Sequence, residues 1–521
     1  MAFNTLVFLL FFLFVLVGSF LVPAKWKWIF LLLSSYFFYC YASVKFLIFI
    51  LLTTLSSYMA TLYMGKQYQM ERSQTSTKEY KKKCHLKRKR VLVLTLVLNF
   101  GILLFLKYFN FFSENMNHLL ETLSLGSQIP TLHLILPLGI SFYTFQTMSY
   151  VIDVYWGKIE PERNLAKVAL FVSFFPQILQ GPIGRFKDLA PQLYAPKKAS
   201  YRDLKFGLQL MLWGYFKKMI IADRAAVIAD FVFENYMNVS GMGVALGVFM
   251  YAIQDYTDFS GCIDIARGCA QTMGMTMAEN FRRPYFSKTV SEFWRRWHMS
   301  LGSWMKDYVF YPFSLTPGVR QIGKFAKKRF GKHIGRTLPI ALGNLLVFFL
   351  VGVWHGAQWN YIIWGIFYGF LIAISGLMKP VWNYLNQKLH ISVQSRSFQL
   401  FQILRTFWIT CVGCIIFRAV TLTDGWRIFL KCFHFYEFPL DIKKELVSFG
   451  LNGKNYVVLL IGLIVLLIVD ILQEKKSVRE RIEKRSIWIR WGLYLVAFLI
   501  ILLFGMYGPG YDQTQFVYMQ F

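Results

Sequence analysis

"TLPIALGNLLVFFLVGVWHGAQWNYIIWGIFYGFLIAISGLM", residues 337–378, contains no Asp, Glu, Lys or Arg, and a single imidazole, His355, stands in its middle. A run of ~20 apolar residues is enough to cross the hydrocarbon of a bilayer. The stretch therefore reads as two crossings, with Gly356, Gln358 and Asn360 at the break between them. Similar apolar runs occupy residues 3–22, 28–42, 46–64, 91–109, 132–154, 165–179, 206–221, 244–256, 401–417, 456–472 and 488–506. Some are short or carry polar groups and are expected to re-enter rather than span, leaving about ten or eleven transmembrane helices. The runs lack the alternation of a barrel, so the expected fold is an all-α integral membrane protein. Composition agrees: 56% of residues are hydrophobic and 18% aromatic, and mean hydropathy is +0.43. The first run leads through Pro23-Ala24-Lys25 straight into the second, with no small-residue cleavage site, and is read as a retained helix.

The net charge of +30 does not indicate a nucleic-acid partner, because the cations cluster in short connections between apolar runs. One cluster lies at residues 66–90, a second at 320–336 and a third at 475–490. Positive connections stay on the cytoplasmic side and face anionic lipid headgroups. With the 66–90 cluster after the third span, the N-terminus is expected outside, and Lys25 and Lys27 inside. The side of the C-terminal "YDQTQFVYMQF" stays open. Seven cysteines are scattered. Cys411 and Cys414 form a C-x-x-C inside an apolar helix with no second pair nearby, so they read as packed thiols, and no metal site is expected.

Between Pro137 and Asn360 polar residues enter the apolar runs. Gln146 and Asp153 lie in one segment, and Gln177 and Gln180 in another that Pro176 and Pro182 interrupt; Asp255, Asp258, Asp264 and Arg267 lie in a third. Carboxylates at membrane depth cost ~2.5–3.5 kcal/mol each on insertion scales and usually line a functional cavity. The alternative is that Asp258 and Asp264 pair with arginines and lock helices together.

In "TVSEFWRRWHMSLGSWMKDYVFYPF", residues 289–313, Thr289 and Glu292 fit a capping box. Phe293, Trp297, Leu301, Trp304, Tyr308 and Tyr311 then recur at helical spacing, with Arg295, Arg296, Lys306 and Asp307 off the stripe. The pattern predicts one amphipathic helix at the cytoplasmic surface. His298, on its shoulder, reads by itself as an interfacial histidine. His355 is placed differently. Seventeen residues of helix from Leu338 at ~1.5 Å each set it ~25 Å deep. There a neutral imidazole either bridges two helices or acts as a base that takes a hydroxyl proton and returns it near neutral pH.

"PLGISFYTFQTMSYVIDVYWG", "FPQILQGPIGRF", "YAIQDYTDFSGCIDIARG", "NFRRPYFSKTVSEFWRRWHMSLGSWMKDYVFYPF" and "VGVWHGAQWNYIIWG" together resemble the membrane-bound O-acyltransferase (MBOAT) family, above all its bacterial alginate O-acetylase branch. The likeness runs from about Pro137 to Phe370 and resumes in "CIIFRAVTLTDGWRIFLKCF" and the terminal "FVYMQF". It divides the chain into N-terminal helices (1–136, with the basic loop 66–90), a catalytic core (137–378) and C-terminal helices (379–521, with a loop at 422–456 whose second half fits no family pattern). The resemblance implies a ring of helices around a thin centre, where cytoplasmic and outer funnels meet at a tunnel. It implies that His355 is catalytic and that His298 is also required. Candidates for lining the tunnel or binding substrate are Trp354, Asp258, Gln146, Gln177, Arg296 and Asn360.

The function so implied is transfer of an acyl group, expected to be acetyl, from a cytoplasmic thioester. The donor is acetyl-CoA or an acylated carrier protein acting as co-substrate, with no tightly bound cofactor. The acceptor is an extracytoplasmic polysaccharide, reached directly or through a separate exported acetyltransferase. The expected location is the bacterial cytoplasmic membrane. Two other readings stay open. One is D-alanyl transfer to teichoic acid from a carrier protein. The other is a transporter or lipid flippase, which would move solute without consuming thioester.

Overall fold

The computed structural model describes residues 1–72, 77–126, 128–195, 198–434 and 441–507. Among them the chain is helical and contains no strand. Seven helices are long and apolar enough to cross a membrane: Val44–Arg72, Lys78–Thr122, Pro317–His355, Trp359–Leu377, Arg396–Arg418, Gly453–Lys475 and Ile487–Phe504. Leu6–Leu21 is apolar but shorter. Ile487–Phe504 buries none of its apolar window and Gly453–Lys475 only 22%. Surfaces of that kind are stable only with lipid as the solvent. The protein is a multi-pass, all-α membrane protein.

The remaining apolar runs are shortened by their own polar and breaking residues. The 132–154 run becomes helical only at Ile140, after Pro137 and Gly139. The 165–179 run stops at Ser173, and its next four-residue turn carries Pro176. The 206–221 run changes pitch into a π-helix at Phe216–Ala222. The 244–256 run is part of the Gly241–Thr272 helix, which carries Asp255, Asp258 and Asp264 from its middle onward.

The basic stretch at 66–90 is mostly helix rather than loop. The Leu47–Arg72 helix runs into it from one side. From the other side the Lys78–Thr122 helix begins, with the Thr77 hydroxyl accepting from Tyr80 N as its cap. Residues 73–76 lie outside the described residues. Arg88 pairs with Glu71 and stacks 3.6 Å from the Tyr68 ring centre, so one cation of the cluster is a fixed structural contact.

The chain forms two compact units, Met1–Leu208 with Ala266–Ala278, and Gln209–Ile265 with Glu279–Phe521. In the first, the Ile140–Tyr155 helix packs among the Leu47–Arg72, Lys78–Thr122 and Leu165–Ser173 helices and buries nearly all its side chains. In the second, the Pro317–His355 and Trp359–Leu377 helices make the most extensive pairing in the chain. They touch through glycines. A methyl at Gly352 would meet Tyr361 O at 2.4 Å, and one at Gly365 would meet Phe348 O at 2.3 Å. Small residues let membrane helices approach this closely. That contact fixes where the first helix ends, at His355.

The candidate catalytic centre

His355 is the last residue of its helix, and Gly356 leaves in an extended conformation. The break falls where the sequence placed it. A side chain at Gly356 would strike the Tyr361 ring at 2.2 Å, so the turn that frees the helix end requires glycine. The imidazole is 3% exposed. Trp354, Trp364 and Phe417 surround it edge to face, with ring centres at 4.9, 5.0 and 5.3 Å.

His298 reaches the same aromatic nest from a different backbone. The predicted helix at residues 289–311 starts as expected, with Thr289 accepting from Glu292 N. It is then broken: Val290–Arg296 ends at an extended Trp297, and a second helix runs from Met299 to Met305. Between them His298 sits in the left-handed region at φ 44, a strained conformation for a residue with a Cβ. Long-range hydrogen bonds hold it there. Arg282 N donates to Arg296 O and Met299 N to Asn280 O, both at 2.9 Å. The Asn280 carboxamide oxygen accepts from Ser300 N and Ser300 Oγ at 2.9 Å and meets His298 Nδ1 at 3.3 Å. Phe293, Trp297, Leu301 and Trp304 are buried, so this stripe faces protein instead of lipid headgroups. The His298 ring meets Phe259 at 4.9 Å and Trp354 at 5.9 Å. Burial pushes its pKa down to about 3, which keeps it neutral.

Trp354 thus contacts both histidines. The other candidates have structural partners. Asp258 forms an ion pair with Lys218 at 2.5 Å, and Lys218 also holds Asp223 at 2.9 Å. Asp264 pairs with Lys217 at 2.8 Å. Both carboxylates thus have cationic partners, and these are lysines of the π-helical turn instead of the arginines that the sequence suggested. Arg296 binds Glu292 at 2.8 Å and Glu474 at 2.9 Å. Asn360 donates to Ala419 O and ties two helix ends together. Gln146 and Gln177 belong to the first unit, where they donate to Phe171 O at 2.6 Å and Pro182 O at 2.8 Å.

Behind two of the rings that touch His355, Trp364 and Phe417, lies a small cavity of about 20 Å³, where one water needs ~10–15 Å³ by the same measure. Trp364 and Phe417, which touch His355, form part of its wall; so do Trp294, Tyr368 and, on the Gly241–Thr272 helix, Tyr251 and Asp255. Sequence reading gave no role to Tyr251, Trp294 or Trp364. The available signal was the spacing of Tyr251 and Asp255, four residues apart and so on one helix face.

Residues 161–417 match the membrane-bound O-acyltransferase family, MBOAT. The chain is 32% identical to the probable alginate O-acetylase AlgI of Pseudomonas putida, over 97% of this chain and 96% of that protein. It is 30% identical to the peptidoglycan O-acetyltransferase of Helicobacter pylori, over 78% and 73%. Against the teichoic acid D-alanyltransferase of Bacillus subtilis it is 31% identical, over 56% and 70%. The chain belongs to the MBOAT family and is an O-acyltransferase. The match resumes the sequence expectation and removes the transporter reading. The terminal "FVYMQF" and residues 435–440 of the 422–456 segment lie outside the described residues. The rest of that segment forms the Leu422–Lys431 and Ile442–Ser448 helices and the start of Gly453–Lys475.

Proposed function

We propose that the protein transfers an acetyl group from a cytoplasmic thioester, acetyl-CoA, to a hydroxyl of an extracytoplasmic polysaccharide, with His355 as general base. The observation that carries this reading is the placement of His355. An imidazole at a helix end, buried in aromatic rings, touches Trp364 and Phe417, two of the residues that line a small cavity. His355 takes the acceptor's hydroxyl proton and the oxygen attacks the thioester carbonyl carbon. The C–O bond forms, the C–S bond breaks, and the imidazolium returns the proton to the thiolate. Ring packing keeps bulk water from the thioester. His298, neutral and anchored by Asn280, orients the donor through Trp354. The family's tunnel would bring the two substrates to His355 from opposite sides of the bacterial cytoplasmic membrane, with the N-terminus outside. The acceptor is reached directly or through a separate exported acetyltransferase.

The likeness to a D-alanyltransferase supports a second reading, in which a carrier protein delivers an aminoacyl group. Two assays separate the readings and test the base. Membranes containing the protein are incubated with labelled acetyl-CoA, and label is sought in cell-surface polymer; capture of a small acidic carrier by the purified protein is measured in parallel. His355→Ala is expected to accumulate normally and transfer nothing, a loss of about 10²–10⁴-fold or more for a missing general base. Full activity in that variant removes the proposed base.

A further inference from the structure

Three polar groups on the wall of the cavity behind Trp364 and Phe417 have no partner among the described residues. The Tyr251 hydroxyl and the Trp294 indole N–H are buried and make no hydrogen bond. The Asp255 carboxyl has neither a hydrogen bond nor an ion pair; only burial and the like charge of Asp258 act on it. A buried polar group left unsatisfied costs ~1–3 kcal/mol, and two of them with a half-buried, unpaired carboxyl around one cavity of about 20 Å³ make a site that lacks a complement. We infer that Tyr251, Asp255 and Trp294 form the subsite that binds the thioester carbonyl oxygen as it becomes negative during acyl transfer. The inference rests on the acetyl-transfer reading and supplies what that reading lacks, a place for the developing oxyanion.

The chemistry of the three groups selects the ligand. The indole N–H is a donor only, and the tyrosine hydroxyl donates through its proton. A carboxyl among Trp294, Trp297, Trp364, Tyr368 and Phe417, with no cation on the cavity wall, is stable as the neutral acid, and that form also donates. All three can donate to one acceptor. An ammonium group would satisfy a carboxylate but leave the Trp294 N–H unpaired. A carbonyl oxygen takes all three bonds, and they strengthen when attack on carbon moves the C=O electron pair onto oxygen. When the C–S bond breaks, the pair returns and the donors release a neutral ester. Tyr251 and Asp255 lie one helical turn apart, so both reach the cavity from one face of the Gly241–Thr272 helix. Trp294 comes from another helix, Val290–Arg296, and is held edge to face by Phe348, Trp364 and Tyr368 at 5.2, 5.3 and 4.9 Å. The Trp294 donor is fixed by its ring contacts before substrate arrives, which is the condition for electrostatic stabilisation of a transition state.

The test uses membranes carrying the full chain, labelled acetyl-CoA as donor and label in cell-surface polymer as readout. Asp255→Ala, Trp294→Phe and Tyr251→Phe are each expected to lower kcat by about 10²-fold with KM for acetyl-CoA unchanged. Asp255→Asn, which keeps an N–H donor, is expected to retain most of the activity that Asp255→Ala loses. Trp294→Phe keeps a ring against Trp364 and Tyr368, so its loss is not a loss of packing. Unchanged kcat in the three truncations, a loss carried by KM, or Asp255→Asn as inactive as Asp255→Ala would each overturn the assignment. The last result would mark Asp255 as a negative charge for a cationic acyl group. A wild type that moves no acetyl label overturns the transfer reading and this subsite with it. An active wild type with equally active variants overturns the subsite alone.

Discussion

The His355 imidazole meets the Trp364 indole edge to face, with ring centres 5.0 Å apart at 83°. The same indole meets Trp294 at 5.3 Å and lines the cavity. One side chain therefore positions both the proposed base and one of the proposed oxyanion donors. Aromatic pairs contribute ~0.5–1.5 kcal/mol beyond burial, so the geometry is held firmly. Trp364→Phe is expected to leave the protein folded and to lower kcat about 10-fold at unchanged KM, because small displacements of a reacting group are costly. Trp364→Ala should also destabilise by about 3–5 kcal/mol. Label transfer measured beside thermal unfolding in detergent checks both, and a Trp364→Phe variant with wild-type kcat would remove the positioning role.

His298 gives the fold a pH dependence. Its pKa is near 3 in the folded protein against 6.5 for a free imidazole. Above 6.5 both states are neutral and the group contributes nothing that changes with pH. As pH falls below 6.5 the unfolded chain binds a proton that the folded chain refuses until about 3. Stability is therefore lost through that window, at up to about 1.4 kcal/mol per pH unit. Melting temperature followed down from neutral pH should fall more steeply for the wild type than for His298→Gln, and parallel curves would contradict the neutral burial of His298.

How far the sequence announced this site depends on whether its cause was local. His355 was legible because one imidazole in an uncharged stretch is conspicuous and the following glycine ends a helix. The broken path through Trp297 and His298 was not, because pairing with residues 280–282 imposes it on a segment whose own periodicity favours one helix. The partner of Asp258 was hidden for the same reason: Lys218 lies forty residues away, on a π-helical turn that no local pattern signals. The helical character of the 66–90 stretch was masked by its charge, which speaks for topology and says little of backbone conformation.

The Lys218–Asp258 pair makes a prediction that separates packing from chemistry. Both side chains are buried, at 5% and 2% exposure, and 2.5 Å apart. Lys218 also holds Asp223 at 2.9 Å, so the group is a triad. Removing one member of a buried charge cluster leaves the others poorly compensated, at a cost of up to about 3–5 kcal/mol, whereas replacing the whole cluster by uncharged residues of like volume is often neutral. Lys218→Met, which strands both carboxylates, is therefore expected to melt well below the wild type. Adding Asp258→Leu and Asp223→Asn should restore much of the loss, and the triple variant should transfer acetyl label at a near-normal rate. A stable but inactive triple variant would return Asp258 to the substrate path.

The glycine contact between the two helices that flank His355 is the most exacting element of the design. A Cβ at Gly352 would lie 2.4 Å from Tyr361 O, and the atoms beyond it belong to Gly365 and to the Tyr361 backbone, which cannot rotate away. Gly352→Ala must part the helices by enough to clear a methyl group, at a cost of about 1–3 kcal/mol for overpacking. Because the helix ends three residues later, that displacement passes directly to His355. Activity is thus expected to fall further than stability, with kcat down about 10- to 100-fold from misplacement of the base. Gly376→Ala is the control. It lies farther along the second helix, its nearest neighbour is the Thr337 methyl at 3.3 Å, and it should cost little in either measure. Equal activity in Gly352→Ala and Gly376→Ala would show that the close approach does not set the position of the imidazole.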